Sequence, residues 1–235
     1  MYEKFKSMYP SFSKGEAALW AASVTLIVVS FFIFGAKSIL TLTASLIGVT
    51  ALIFNAKGNP AGQFLMIVFS ILYGVISYSY AYYGEMITYL GMTAPMALFA
   101  LVAWLRHPYN GNRAEVQVNR LTGKETVFMA ALTAVVTVVF YFLLAAFHTA
   151  NLLLSTISVT TSFLAVYLTF RRSAYFAIAY AANDIVLIFL WMLAALSDLS
   201  YVSVIICFVT FLANDIYGFI NWLRIQKRQE SSTKA

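Results

Sequence analysis

Eight apolar stretches, each close to the ~20 residues a helix needs to cross a bilayer core, follow one another along this chain of 235 residues. They lie at roughly 16–34, 38–56, 60–81, 85–105, 125–147, 151–170, 174–196 and 200–223. Only 10% of the residues are charged and 62% are hydrophobic. A soluble domain carries about 25% charged residues, so this chain cannot cover itself with a water-facing surface. The fold class is therefore all-α and membrane-integral, with the lipid bilayer as the obligatory partner. The first stretch is longer than the apolar core of a signal peptide and no small-residue cleavage site follows it, so it counts as a helix. The single Cys207 rules out an internal disulfide.

Lys and Arg set the orientation. Counting alternate loops, fourteen of the fifteen fall on one side and only Lys37 on the other. Positive charge accumulates on the cytoplasmic side of membrane proteins, so both termini are expected there, in a multi-pass protein of the inner or plasma membrane. The basic residues punctuate apolar segments and form no patch that suits nucleic acid. The tyrosine-rich run at 78–86 falls at the outer interface, where aromatic belts anchor helices. The longest polar internal stretch, 106–125, carries Pro108, Asn110-Gly111 and Gly123 as turn signals and reads as a linker.

The helices repeat. Residues 38–105 and 151–223 each show a helix, a short basic turn (Lys57; Arg171-Arg172) and a return helix. An acidic turn follows (Glu85; Asp198), then a third helix ending in Trp-Leu-Arg at 104–106 and 222–224. One helix, 125–147, separates the triplets and gives them the same orientation. The expected architecture is an extra N-terminal helix (16–34), a triplet, a linker helix and a second triplet, closed by a tail at 224–235. Parallel repeats of this kind place substrate near the midplane between them.

Two carboxylates lie inside the last two helices. Asp184 and Asp215 each follow an Asn, in "AANDIVLIFLW" and "LANDIYGFINW". An Asp at the centre of a spanning helix costs ~2.5–3.5 kcal/mol on insertion scales, and no Lys or Arg is available at that depth. Helical spacing puts Asp215 and Trp222 on one stripe, Asn214 and Tyr217 on the next, and Tyr180, Asp184 and Trp191 on a third, with Asn183 beside it. Carboxylate, amide and aromatic ring at one depth suit a flat cationic heterocycle bearing hydroxyl groups. Interhelical polar bonding is the alternative use of the Asn-Asp pairs. Tyr73, beside Ser70 and Gly74, is a further lining residue. Trp104 reads as an interface anchor, Asn55 and Gln63 as solvated, His148 as a surface residue, and Pro95 as a helix kink. Ser158, Thr160 and Thr161 are as suited to bonding their own helix as to meeting a ligand.

Absences narrow the function. No mid-membrane Lys offers a retinal Schiff base, and no catalytic, metal-binding or nucleotide-binding motif is present. The reading needs no cofactor and no metal. An intramembrane enzyme using Asp184 and Asp215 as acid and base is a distant alternative, without the Gly-x-Gly-Asp context of aspartyl proteases of that kind.

The stretch "ANDIYGFINW" followed by a basic tail resembles the end of PnuC-family vitamin transporters, with their Asn/Asp-x-x-Tyr-Gly-x-x-x-Trp pattern. "NDIVLIFLW" is similar to the preceding helix of that family and "LYGVISY" at 72–78 to the matching part of its first half. Phe69 and Ser70 stand where the family's first half often has Asn. The resemblance covers nearly the whole chain and implies a fold similar to SWEET sugar transporters. It further implies facilitated diffusion of nicotinamide riboside, trapped by cytoplasmic phosphorylation. Related transporters carry thiamine, riboflavin or deoxynucleosides, and proton coupling stays open as an alternative. So does assembly into a homo-oligomer such as a trimer.

Overall fold

A computed structural model of the chain describes residues 12–34, 38–79 and 83–233. Lys4, Lys6, Lys37, Lys234 and the centre of the tyrosine run, 80–82, lie outside the described residues. Among the described residues, eight helices are long and apolar enough to cross a membrane. They are α1 (Lys14–Ile33), α2 (Ile39–Ala56), α3 (Ala61–Ser79), α4 (Tyr83–Arg106), α5 (Gly123–Ala146), α6 (Leu152–Phe170), α7 (Phe176–Ala195) and α8 (Val202–Thr233). The chain is an all-α membrane protein.

Six of the eight close into a ring. Each of α2, α3, α4, α6, α7 and α8 packs on the next, and α8 returns to α2. Two three-helix groups, α2–α4 and α6–α8, therefore meet at two seams, α4 against α6 and α8 against α2. Helix α1 lies outside the ring against α2 and α8, and α5 lies outside it against α6. All eleven described Lys and Arg residues sit at one end of the bundle, called here the basic face.

Local sequence explains the helix ends. Ser13 and Glu16 form a capping box at the start of α1, with Glu16 N donating to Ser13 Oγ (3.2 Å) and Ser13 N to Glu16 Oε2 (2.7 Å). Thr122 and Glu125 repeat the device on α5. The turns after α2 and α6 both use a left-handed residue, Gly58 (φ +66°) and Arg172 (φ +57°). Helix α4 contains a π-helical turn at Tyr89–Thr93, directly before Pro95. Proline lacks an N–H, and the π-helical turn ends just ahead of it, at the point where the sequence suggests a kink. Gly74 on α3 makes room for it, since a Cβ there would stand 2.5 Å from Leu90 Cγ.

The stretch between α4 and α5 is more than a linker. Asn110 and Gly111, both at positive φ, turn a hairpin between β1 (Pro108–Tyr109) and β2 (Asn112–Val116). Val116 N donates to Gly58 O (2.9 Å) and Asn119 N to Arg172 O (3.0 Å), so the segment ties together the two matched turns. Helix α8 does not stop near residue 223 but continues to Thr233. Its buried Gln229 accepts from Val118 N (2.8 Å) and donates to Val116 O (3.1 Å). The hairpin gives the extended helix a surface to pack on, which the tail's polar composition does not reveal.

Candidate functional site

The interior of the ring narrows from a cavity to a carboxyl pair. The cavity, about 500 Å³, lies between α1, α2, α3, α7 and α8 and opens at the face opposite the basic one. Its volume falls in the ~300–1,000 Å³ range of small-molecule sites. Its mouth carries Ser38, Thr41, Ser200 and Asp198, and among the described lining residues there is no Lys or Arg. Deeper in, the wall is aromatic: Phe69 and Tyr73 on α3, Trp191 on α7, Tyr201, and Phe208 and Phe211 on α8. The rings are mutually packed. Phe69 stands 5.6 Å from Tyr73 and 5.9 Å from Phe211 between centroids, and Trp191 stands 5.3 Å from Tyr201.

The floor is made by Phe69 and Phe211 closing on Gly48. A Cβ at Gly48 would meet Phe211 Cζ at 2.6 Å and Phe69 Cδ2 at 3.0 Å, so only glycine lets both rings reach α2. Tyr89, swung inward by the π-helical turn, stacks on Tyr73 from outside the cavity with centroids 4.4 Å apart.

Below that floor lie the carboxyls. Asp215 is one helical turn beyond Phe211, and Asp184 is two turns beyond Trp191, both toward the basic face. Both are 4% exposed, and their carboxyl groups stand within hydrogen-bonding reach of each other. Asp184 Oδ2 has no hydrogen-bond partner among the described residues, and neither has Asn214 Oδ1. Neither Asp forms an ion pair among the described residues. Tyr180 lies within the electrostatic reach of both, and Tyr89 and Cys207 within that of Asp184.

The amides beside them bind neighbouring helices. Asn183 Oδ1 accepts from Ser158 Oγ (3.2 Å) and Thr161 Oγ1 (2.9 Å) on α6. Asn214 Nδ2 donates to Ser23 Oγ on α1 (2.9 Å) and to Thr210 O (2.8 Å). Thr160 faces α5 and meets Thr137 at 2.8 Å.

Five residues singled out from the sequence stand elsewhere than expected. Tyr217 lies nearer the basic face, where its hydroxyl donates to Glu16 Oε1 (3.0 Å). The same carboxylate pairs with Lys57 Nζ at 2.7 Å, which places α1, the α2–α3 turn and α8 on one anion. Trp222 and Trp104 are both fully buried in a plug at the basic end with Phe176, so Trp104 is no interface anchor. Asn55 and Gln63 are not solvated either; both are 2% exposed, and Gln63 Nε2 donates to Asn55 Oδ1 at 2.8 Å. Gly62 opens the space between α2 and α3 that Asn55 fills. His148, as expected, is exposed at a turn.

Of the residues read from the sequence, Tyr73 and Trp191 line the cavity, Asp184, Asp215 and Tyr180 lie beneath it, and Asn183 and Asn214 brace that layer. Phe69 was noted only as a departure from the family pattern, and Phe208, Phe211, Tyr89 and Tyr201 went unread, because twenty Phe and fifteen Tyr scattered through apolar helices give no periodicity that separates lumen from lipid.

Residues 38–224 match the family described as nicotinamide mononucleotide transporter. The chain is 27% identical over 215 residues to the nicotinamide riboside transporter PnuC of Neisseria mucosa, covering 90% of this chain and 82% of that one. It is 23% identical over 226 residues to the nicotinamide riboside transporter PnuC of Haemophilus influenzae, covering 96% and 97%. Its fold is similar to that in the crystal structure of the vitamin B3 transporter PnuC, with a TM-score of 0.80, 25% identity, and 95% and 96% of the two chains covered. These relatives are transporters, not enzymes. With the family match spanning most of its length and the fold shared from end to end, this chain belongs to the nicotinamide mononucleotide transporter family, that of the PnuC transporters.

Proposed function

We propose that this chain takes up nicotinamide riboside, entering by the cavity opposite the basic face, with both termini in the cytoplasm. The observation that carries the reading is the aromatic cavity over the Asp184–Asp215 pair, with no Lys or Arg in its described lining. The riboside carries a pyridinium cation. Aromatic faces attract such a ring by cation–π interaction, and a poorly screened carboxylate adds to that attraction. Asp184 Oδ2 and Asn214 Oδ1, both without a partner among the described residues, suit the ribose hydroxyls as acceptors.

The same electrostatics favour the riboside over its mononucleotide. A phosphate would enter a cavity with Asp198 at its mouth, the Asp184–Asp215 pair beneath its floor and no Lys or Arg in its described lining, and charges of like sign repel strongly at low dielectric. Phosphorylation in the cytoplasm then traps the product, because the acidic path rejects the new anion. Transport is facilitated diffusion, since the described residues hold no metal cluster and the sequence no ATPase motif.

Calorimetry of the purified chain against nicotinamide riboside, its mononucleotide, thiamine, riboflavin and deoxynucleosides tests the substrate. The riboside is expected to bind and the mononucleotide not; tighter binding of a neutral deoxynucleoside overturns the reading. Proteoliposomes without an ion gradient are expected to equilibrate the riboside. A strict requirement for a proton gradient would instead assign the carboxyl pair to a proton relay.

A further inference from the structure

At the basic face, α5, the end of α6 with the turn that follows it, and α8 part around a cleft of about 690 Å³ that the connector at 119–121 roofs. Its lining is divided by depth. Leu121, Met129, Leu168 and Leu223 make the part toward the membrane, and Asn119, Arg120, Lys227 and Glu230 the rim toward water.

The geometry points to a binding site for the phosphate of an anionic phospholipid, with the headgroup on the rim and the acyl chains along the leucines and Met129. Three observations carry it. Asn119 Nδ2 is buried and has no acceptor among the described residues, which is costly unless an oxygen arrives from outside. Lys227 is exposed and makes no ion pair among the described residues. Arg120 spends two donors on Glu230, at 2.7 and 2.8 Å, and a guanidinium has five. The pair is exposed and weak, so it orients Arg120 more than it neutralises the rim. Basic clefts between spanning helices with an apolar inner wall are suited to lipid headgroups, and each Lys or Arg near an anionic surface contributes about 1 kcal/mol. A bound lipid would bridge the linker helix α5 to α8 across this cleft.

Free phosphate shares the headgroup chemistry but not the fit to the apolar wall. The purified full-length chain in neutral detergent is titrated with short-chain phosphatidylglycerol, short-chain phosphatidylcholine and inorganic phosphate, with Tm as the readout. Phosphatidylglycerol is expected to raise Tm and phosphatidylcholine not. Lys227→Gln should weaken the response roughly fivefold and Arg120→Ala/Lys227→Ala roughly 30-fold. Arg113→Ala/Lys124→Ala removes the same charge elsewhere on that face and should leave the titration unchanged. If the first double variant does not fold, Lys227→Gln alone decides, because that side chain holds no ion pair to lose. A response to inorganic phosphate at the same concentrations, equally weakened by Lys227→Gln, supports the anion site and assigns it to free phosphate. Equal responses to the two lipids, or an unchanged titration in Lys227→Gln, overturn the proposal.

Discussion

Trp104 and Trp222 pack against each other with ring centroids 5.4 Å apart and planes inclined by 49°, and each indole reaches into the other triplet. Trp104 Nε1 donates to Thr169 O at the end of α6 (2.9 Å), and Trp222 Nε1 donates to Asn55 O at the end of α2 (2.7 Å). The third helix of each triplet thus holds the first helix of the other, at the basic end of the bundle. Both rings are fully buried, so the plug is dry.

Trp104→Phe and Trp222→Phe each remove one N–H donor and some ring volume from this plug. Each is expected to cost on the order of 1–3 kcal/mol. Because the rings touch, the double variant should depart from additivity by at least about 0.5 kcal/mol. Melting temperatures of the four proteins in one detergent check this; strict additivity would mean the two seams are not coupled.

Asp215→Asn keeps shape and hydrogen bonding but removes a charge beneath the cavity. Loss of a contact to a cationic substrate is expected to weaken affinity by about tenfold to a hundredfold, equivalent to ~1–3 kcal/mol. The helix should insert more readily, because the penalty for a mid-membrane Asp falls. Well-expressed protein with weak binding is the expected result for Asp184→Asn as well. Normal affinity in both variants removes the carboxyls from the site.

Gly48→Ala should displace the Phe69–Phe211 floor, since the added methyl would stand 2.6 Å from Phe211 Cζ. Uptake by cells is expected to fall while expression changes little. Adding Phe211→Leu should restore part of it, by returning the space. An unaffected single variant would show that the floor rings move freely.

Cys207, the single cysteine of the chain, lines the cavity and is 7% exposed. A small charged thiol reagent added from the side opposite the basic face should label it. Substrate at ten times Kd should slow labelling roughly tenfold, by occupancy alone. Labelling that ignores substrate would place binding elsewhere.

Glu16 and Lys57 form a mostly enclosed pair, with side-chain exposures of 6% and 15%. Lys57→Met leaves the carboxylate, among the described residues, with Ser13 N and Tyr217 OH as donors. The expected loss is roughly 2–4 kcal/mol, below the upper end for buried pairs because Lys57 keeps some contact with water. Glu16→Gln combined with Lys57→Met should recover most of the melting temperature.

The sequence by itself determined the number of spans, the gathering of the described basic residues at one face and the two carboxyls within the last two helices. Each follows from local rules: apolar length against bilayer thickness, the exclusion of charge from hydrocarbon, and the cost of an isolated Asp. It also marked the Asn110-Gly111 turn, though not what the turn was for. Only the tertiary structure decided which polar groups meet. Asn214 finds Ser23, 191 residues away, and Tyr217 finds Glu16, 201 residues away, because α1 docks outside the ring on α8. No spacing within α8 contains that fact. The cavity likewise depends on Gly48, on the π-helical turn that swings Tyr89 inward, and on which of many aromatic rings face the lumen. In lipid, a lumen-facing Phe and a lipid-facing Phe obey the same local energetics, so only ring closure tells them apart.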